Sequence, residues 1–211
     1  MQPLRLAVLA SGGGSNLQAI LDAIDAGTLD AQVVGVFSDR PNCGALQRVP
    51  AQRRWSSKPA RHADREAFDR VLGDAIEAAG AQWIACAGYM RILTDGFCRR
   101  FAGRLLNIHP SLLPLHPGLH THQRALDAGD AMHGATVHFV TAQLDGGPPI
   151  AQARVPILPG DDAATLAARV LEREHVLYPE VLRWAASGRL EQCGDQACLD
   201  GQALFTPVQL D

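Results

Sequence analysis

Between Arg104 and Pro114 the chain reads RLLNIHPSLLP, an apolar, strand-like run interrupted by Asn107 and His109. Residues two apart in a strand point to the same side, so an amide and an imidazole would stand next to each other. In an open α/β sheet, ligands settle at the carboxyl ends of the parallel strands, and this pair sits at such an end. An Asn N–H can hold a developing oxyanion, and His is the side chain suited to proton transfer near neutrality. A core histidine bonded to backbone, beside an asparagine supporting a turn, explains the same pair, and the two residues alone leave both readings open.

Other groups could also do chemistry. SGGGSN, Ser11 to Asn16, falls between a strand and a helix, where glycines let backbone N–H groups face an anion and the helix start adds partial positive charge. It is not a P-loop, because no Gly-Lys-Ser/Thr follows, and Leu17 occupies the third small position of a dinucleotide fingerprint. A plain tight turn remains the alternative, and Asp39 at the end of the second strand keeps a nucleotide-binding reading alive. Asp145, in LDGGPP, could orient or charge-stabilise an imidazole, with Gly146 and Gly147 free to take unusual backbone angles. His116, His120 and His122 cluster locally but lack a third ligand at a recognisable metal spacing, so no metal is expected. Glu174 and His175 fall on the apolar face of a long helix, where a charge is unusual unless it faces a site.

These groups need a frame, and composition bounds it. A chain of 211 residues can bury a full core as one domain. Lys plus Arg number 19 against 22 Asp plus Glu, a net charge of −3, which argues against a nucleic-acid or membrane surface. The one basic stretch, Arg53, Arg54, Lys58 and Arg61, lacks interleaved aromatics and reads as a solvated loop. Five scattered cysteines with no C-x-x-C indicate neither a disulfide framework nor a zinc ribbon, and reduced thiols fit the cytoplasm. The apolar run at the start is too brief for a signal peptide, and no stretch approaches the roughly 20 residues of a membrane span.

The patterning supplies the elements. Leu4 to Ala10 reads as a strand buried on both faces. Asn16 to Ala26 and Asp64 to Ala79 carry helical periods ending at Gly27 and Gly80. Val33 to Ser38, Gln82 to Gly88 and Leu105 to Ile108 read as further strands, and the alternation predicts βαβ units on a parallel sheet. Past Pro114, the runs Thr136 to Thr141 and Ile150 to Ile157 predict an appended antiparallel pair. Asp161 or Asp162 can cap a helix from Ala163 to Gly188, which Pro179 should kink. The tail from Glu191 reads as a small hairpin.

Taken in order, SGGGSNLQAI, AGYMRIL, GRLLNIHPSLLP, PGLHTH, HGATVHFV, LDGGPPIAQ and EREHVLYP resemble segments of the phosphoribosylglycinamide formyltransferases, folate-dependent enzymes of purine synthesis. The likeness spans nearly the whole chain. It implies a three-layer, Rossmann-like α/β fold with helices on both faces, in one domain of two halves: a phosphate-binding half, 1–110, and a folate-side half, 111–211. It implies formyl transfer from 10-formyltetrahydrofolate to the amine of 5-phosphoribosylglycinamide. Asn107, His109 and Asp145 would be catalytic, with Asp145 supporting the imidazolium. Gly14, Ser15, Asn16 and Glu174 would bind the ribonucleotide. Arg65, Met90, Arg91, Ile92, Leu93 and Thr141, with Asn107 and Asp145, would bind the folate. The partners would be these small molecules alone, with the protein a monomer or homodimer. Two departures stand out: SGGGSN replaces the expected SGNGSN, and residues 43–63 do not follow the family's helix and strand. Methionyl-tRNA formyltransferases carry an added C-terminal domain, and formyltetrahydrofolate deformylases an added N-terminal one. A nucleotide-dependent oxidoreductase or a silent nucleotide-binding module would account for the glycine loop and Asp39, but not for Asn107, His109 and Asp145 together.

Overall fold

The computed structural model describes residues 2–210. The chain divides into two compact units, Met1–Asn107 and Ile108–Asp211.

In the first unit, β1 (Leu4–Leu9), β2 (Ala31–Ser38), β3 (Arg54–Ser56) and β4 (Trp83–Cys86) pair in the order β4-β1-β2-β3, all parallel. The helices α1 (Ser15–Asp25), α2 (Arg65–Ala78) and α3 (Asp95–Arg100) lie between strands in sequence. A fifth strand, β5 (Leu105–His109), adds to β4 through Leu105, Leu106 and Asn107. Leu6, Ala7, Val8 and Leu9 are completely buried, as a strand covered on both faces requires. Each large one contributes about 1.5–3 kcal/mol of burial. The register sets Leu9 beside both Phe37 and Cys86, and Cys86 beside Asn107. The strands therefore end level, and the segments following β1, β2 and β4 emerge at the same edge as Asn107.

Side-chain caps fix the starts of α2 and α3. The Asp64 carboxylate accepts from the Ala67 N–H at 2.7 Å and Thr94 Oγ1 from the Phe97 N–H at 3.4 Å. The stretch from Arg53 to Arg61, expected as a solvated loop, is part of a more structured segment, residues 43–63. They form three short 3-10 turns (Gly44–Arg48, Ala51–Arg53, Pro59–Arg61) and β3, which sets Trp55 beside Phe37. Trp55 also packs edge-on against Phe68, so a single aromatic anchors an otherwise basic stretch.

The second unit begins inside β5. It holds α4 (Thr121–Ala128), β6 (Met132–Phe139), β7 (Pro149–Pro156) and α5 (Ala163–Ala186). β6 and β7 are antiparallel, with Thr136 opposite Gln152, as the sequence predicts. β6 starts four residues early, because Gly134 lies so close to the Ala153 carbonyl that any side chain would collide with it. Asp162 caps α5 through the Thr165 N–H, and the helix runs unbroken through Pro179 at the loss of one ladder bond.

The tail is more than the expected hairpin. β8 (Leu190–Cys193), β9 (Gln196–Leu199) and β10 (Gln202–Ala203) form a three-stranded antiparallel sheet, and β11 (Val208–Gln209) pairs parallel to β7. Cys193 and Cys198 approach one another across the β8–β9 turn, their Cα atoms 6.1 Å apart. Cys43, Cys86 and Cys98 are free and buried. Among the described residues, no helix is long and apolar enough to cross a membrane.

Candidate active site

In the first unit the glycine turn is built from both sides. Gly14 sits at the start of α1 with φ 75°, a left-handed backbone, and a Cβ there would lie 2.7 Å from that of Ala45. Gly12 carbonyl accepts from the Ala45 N–H at 3.0 Å, and Gly13 carbonyl accepts from Arg48 Nε at 2.8 Å. The turn's carbonyls are thus held by the 43–48 segment, leaving Ser15 and Asn16 to open the helix. Asp39 serves the local structure, since Ser11 Oγ donates to it at 2.6 Å and itself accepts from the Met90 N–H at 3.0 Å. A buried carboxylate so engaged is not the free ribose acceptor that the dinucleotide reading needs.

The same hydroxyl ties the turn to Met90–Leu93, the segment expected to bind folate. Met90 and Ile92 are exposed, Leu93 is buried, and the Arg91 guanidinium lies 5.0 Å from the Phe68 ring centre. Arg65, at the first position of α2, donates to the Ile92 carbonyl at 2.9 Å. Arg65 is therefore brought to that segment despite the intervening departure from the family pattern. Asn107 is half-buried at the middle of β5, the last of its residues paired with β4, beside Cys86.

In the second unit the imidazole and the carboxylate meet. His109 is buried, and its Nδ1 lies 3.5 Å from Asp145 Oδ2. Its Nε2–H donates to the His116 carbonyl at 3.1 Å. Asp145 Oδ2 also accepts from the Gly118 N–H at 2.8 Å, and its side chain is only 8% exposed. The unusual backbone falls on Asp145 itself, φ 49°, rather than on the glycines after it. Asp is among the few residues that visit this region readily. Gly147 is needed for clearance instead, because a Cβ would collide with the Phe139 carbonyl.

His138 stands on the other side of Asp145, its Nε2 3.9 Å from Oδ1. Burial pushes His138 down to about 4, opposed by its bond to the Phe139 carbonyl and by the Asp145 charge. At neutral pH this ring is uncharged and leaves the carboxylate's field to His109. Sequence reading missed His138: in HGATVHFV it looks like one more residue of a buried strand, and its relation to Asp145 appears only when β6 leads into the loop that carries Asp145.

The remaining histidines take separate places. His116 donates to Asp130 at 2.6 Å, and His122 and His133 share a hydrogen bond of 3.2 Å. His120 precedes α4 in left-handed backbone. Thr141, half-buried, opens the loop to Asp145, with its hydroxyl 3.5 Å from the Gln143 carbonyl. Glu174 is buried on α5.

Comparisons with known proteins give the chain its family. A family model described as formyl transferase matches residues 4–182. The chain is 47% identical over 203 residues to phosphoribosylglycinamide formyltransferase of Escherichia coli (strain K12), covering 95% of this chain and 96% of that protein. The solved structure of phosphoribosylglycinamide formyltransferase from Coxiella burnetii, in complex with CHES, superposes with a TM-score of 0.94 at 42% identity over 99% of this chain and all of that one. A formyltetrahydrofolate deformylase from Pseudomonas syringae pv. tomato shares the fold at a TM-score of 0.83 and 25% identity; the match covers 94% of this chain and 66% of that one. The chain belongs to the formyl transferase family and has its Rossmann-like α/β fold, mostly parallel with an appended antiparallel part. Within the family it is a one-carbon transferase of the phosphoribosylglycinamide formyltransferase group.

Proposed function

We propose that the protein transfers the formyl group of 10-formyltetrahydrofolate to the primary amine of 5-phosphoribosylglycinamide, with Asn107, His109 and Asp145 as its catalytic groups. The observation that carries this reading is His109 with an acceptor at each ring nitrogen, the His116 carbonyl and Asp145.

The amine nitrogen attacks the formyl carbon, and the carbonyl π pair moves to oxygen, giving an oxyanion and an ammonium on one tetrahedral carbon. Asn107 donates a hydrogen bond to that oxygen; losing one such donor typically costs about 2.7–4 kcal/mol of transition-state stabilisation. The imidazolium of His109, two residues along the same strand, adds charge stabilisation and supplies a proton to the departing folate nitrogen. The ammonium passes its proton to the imidazole that this donation leaves neutral, the oxyanion pair reforms the carbonyl, and the C–N bond to folate breaks with its electron pair kept on the protonated folate nitrogen. Asp145 stabilises the charged ring throughout. Gly14, Ser15 and Asn16, at the positive start of α1, suit the ribose phosphate. Glu174 suits the amine end of the ribonucleotide. Met90, Arg91, Ile92, Leu93, Arg65 and Thr141 are assigned to the folate, the exposed Met90 and Ile92 supplying apolar surface for a flat ring. The substrates are small molecules in aqueous solution, which suits a cytoplasmic setting, and the scheme requires no metal.

The test is a folate absorbance assay with and without the ribonucleotide amine. Tetrahydrofolate formed only when the amine is present supports transfer. Equal release without it would instead favour hydrolysis, the reaction named for the Pseudomonas relative.

A further inference from the structure

The backbone beside His109 is held at every residue from Leu115 to Gly118. Ser111 Oγ donates to the Leu115 carbonyl at 2.6 Å. The His116 carbonyl accepts from His109, and the His116 ring donates to Asp130 Oδ2 at 2.6 Å. Arg124 donates to the Pro117 carbonyl, and the Gly118 N–H donates to Asp145. The two acceptors that face His109 are thus both set by this short segment: one is its carbonyl at His116, the other is held by its N–H at Gly118. His116 has φ 51°. That backbone is unfavourable for a non-glycine residue, by about 1–2 kcal/mol, and persists only where its surroundings over-determine it. The His116–Asp130 bond is the side-chain tether at that residue. Its partner lies just past α4 and belongs to neither the glycine turn nor the catalytic trio.

We propose that His116 and Asp130 form a positioning pair for formyl transfer, holding the His116 carbonyl where it fixes the ring plane of His109 and the direction of its Nε2–H. This rests on the catalytic reading of His109. The pair touches no reacting atom and works through one backbone carbonyl. The other ionisable groups around His109 are Asp145 at Nδ1, His138 behind Asp145, and the His122–His133 pair, whose His133 ring packs edge-on to His116 at 6.2 Å between centres. Burial lowers His122, and lowers His133 to about 4, so at neutral pH His133 is uncharged.

The test is steady-state kinetics on the full-length enzyme with His116→Asn, Asp130→Ala, the double variant, Asp130→Asn and His109→Gln. Asn tolerates left-handed backbone, so His116→Asn removes the tether without forcing the turn. Each of His116→Asn and Asp130→Ala is expected to lower kcat by about 10- to 100-fold, the scale of a misplacement near 1 Å, with KM for both substrates unchanged. The double variant should be no slower than either single. Asp130→Asn, which still offers an acceptor, should recover much of the loss. The pH profile of kcat should move in the impaired variants, which a tether serving stability alone would not cause. Parental kcat in His116→Asn, or additive losses in the double variant, alongside an inactive His109→Gln, would overturn the positioning role and leave the catalytic reading standing. Normal turnover in His109→Gln would remove both. If Asp130→Ala does not fold, His116→Asn and Asp130→Asn carry the test.

Discussion

Asn107 and His109 are separable by substitution, because the proposed mechanism has them act on different atoms of the same intermediate. Asn107→Ala is expected to lower kcat by at least about 100-fold, the cost of an oxyanion donor, with the melting temperature nearly unchanged because the residue is only half-buried. His109→Ala should fall as far or further in the same assay. Asp145→Asn keeps an acceptor for Gly118 but removes the charge from His109, so kcat should drop and its pH profile should shift; parental values in both measurements would take Asp145 out of the scheme. The pairing of Asn107 with His109 was legible from strand periodicity, because two residues of spacing is a local fact. The approach of Asp145 was legible from its LDGGPP loop and from the family resemblance, not from periodicity, since it lies 36 positions beyond His109 and only the β6–β7 turn closes that distance. His116 was legible merely as one histidine of a cluster, as its contribution to His109 is a backbone carbonyl and carries no mark in the sequence.

Elements with one strong signal were readable and elements with mixed signals were not. The fully apolar LRLAVL gave β1, and the periods through Leu17, Ile20 and Leu21 and through Phe68, Leu72 and Ile76 gave α1 and α2 within a residue or two. α3 is a single six-residue stretch containing Gly96, and α4 reads THQRALDA, too polar to show a buried face. β3 has three residues, below what alternation can reveal. Two helix starts make testable points. Gly14→Ala places a side chain in left-handed backbone against Ala45, so it should destabilise by more than the about 1 kcal/mol of an unfavourable backbone alone. It should also raise KM for the ribonucleotide if the turn seats phosphate. Asp162→Ala removes the cap of the 24-residue α5 and should cost about 1 kcal/mol in denaturant unfolding, leaving KM as it was.

For the whole molecule, the buried histidines set an acid limit. His133 and His138 are held near 4 by burial, against an ordinary value of 6.5. The unfolded chain therefore binds protons first as pH falls, and stability drops between about pH 6.5 and pH 4, by on the order of 3 kcal/mol at most for each ring, then levels. Asp161, held down to about 2 by Arg169, adds a loss at lower pH. Thermal melts from pH 7 to pH 4 should show this decline, and His133→Gln should flatten it; a melting temperature independent of pH over that range would remove the assignment. Composition made a compact, nearly neutral α/β protein legible, but not these buried rings, because a histidine in a strand looks the same whether it faces water or core. The three-residue β3 has a further result. A strand at the border of a sheet is a template on which other chains can assemble, and this border offers only Arg54, Trp55 and Ser56, the outer two exposed and polar. So short a ledge gives a foreign strand little to zip onto, and concentrated preparations should resist fibril growth from that side.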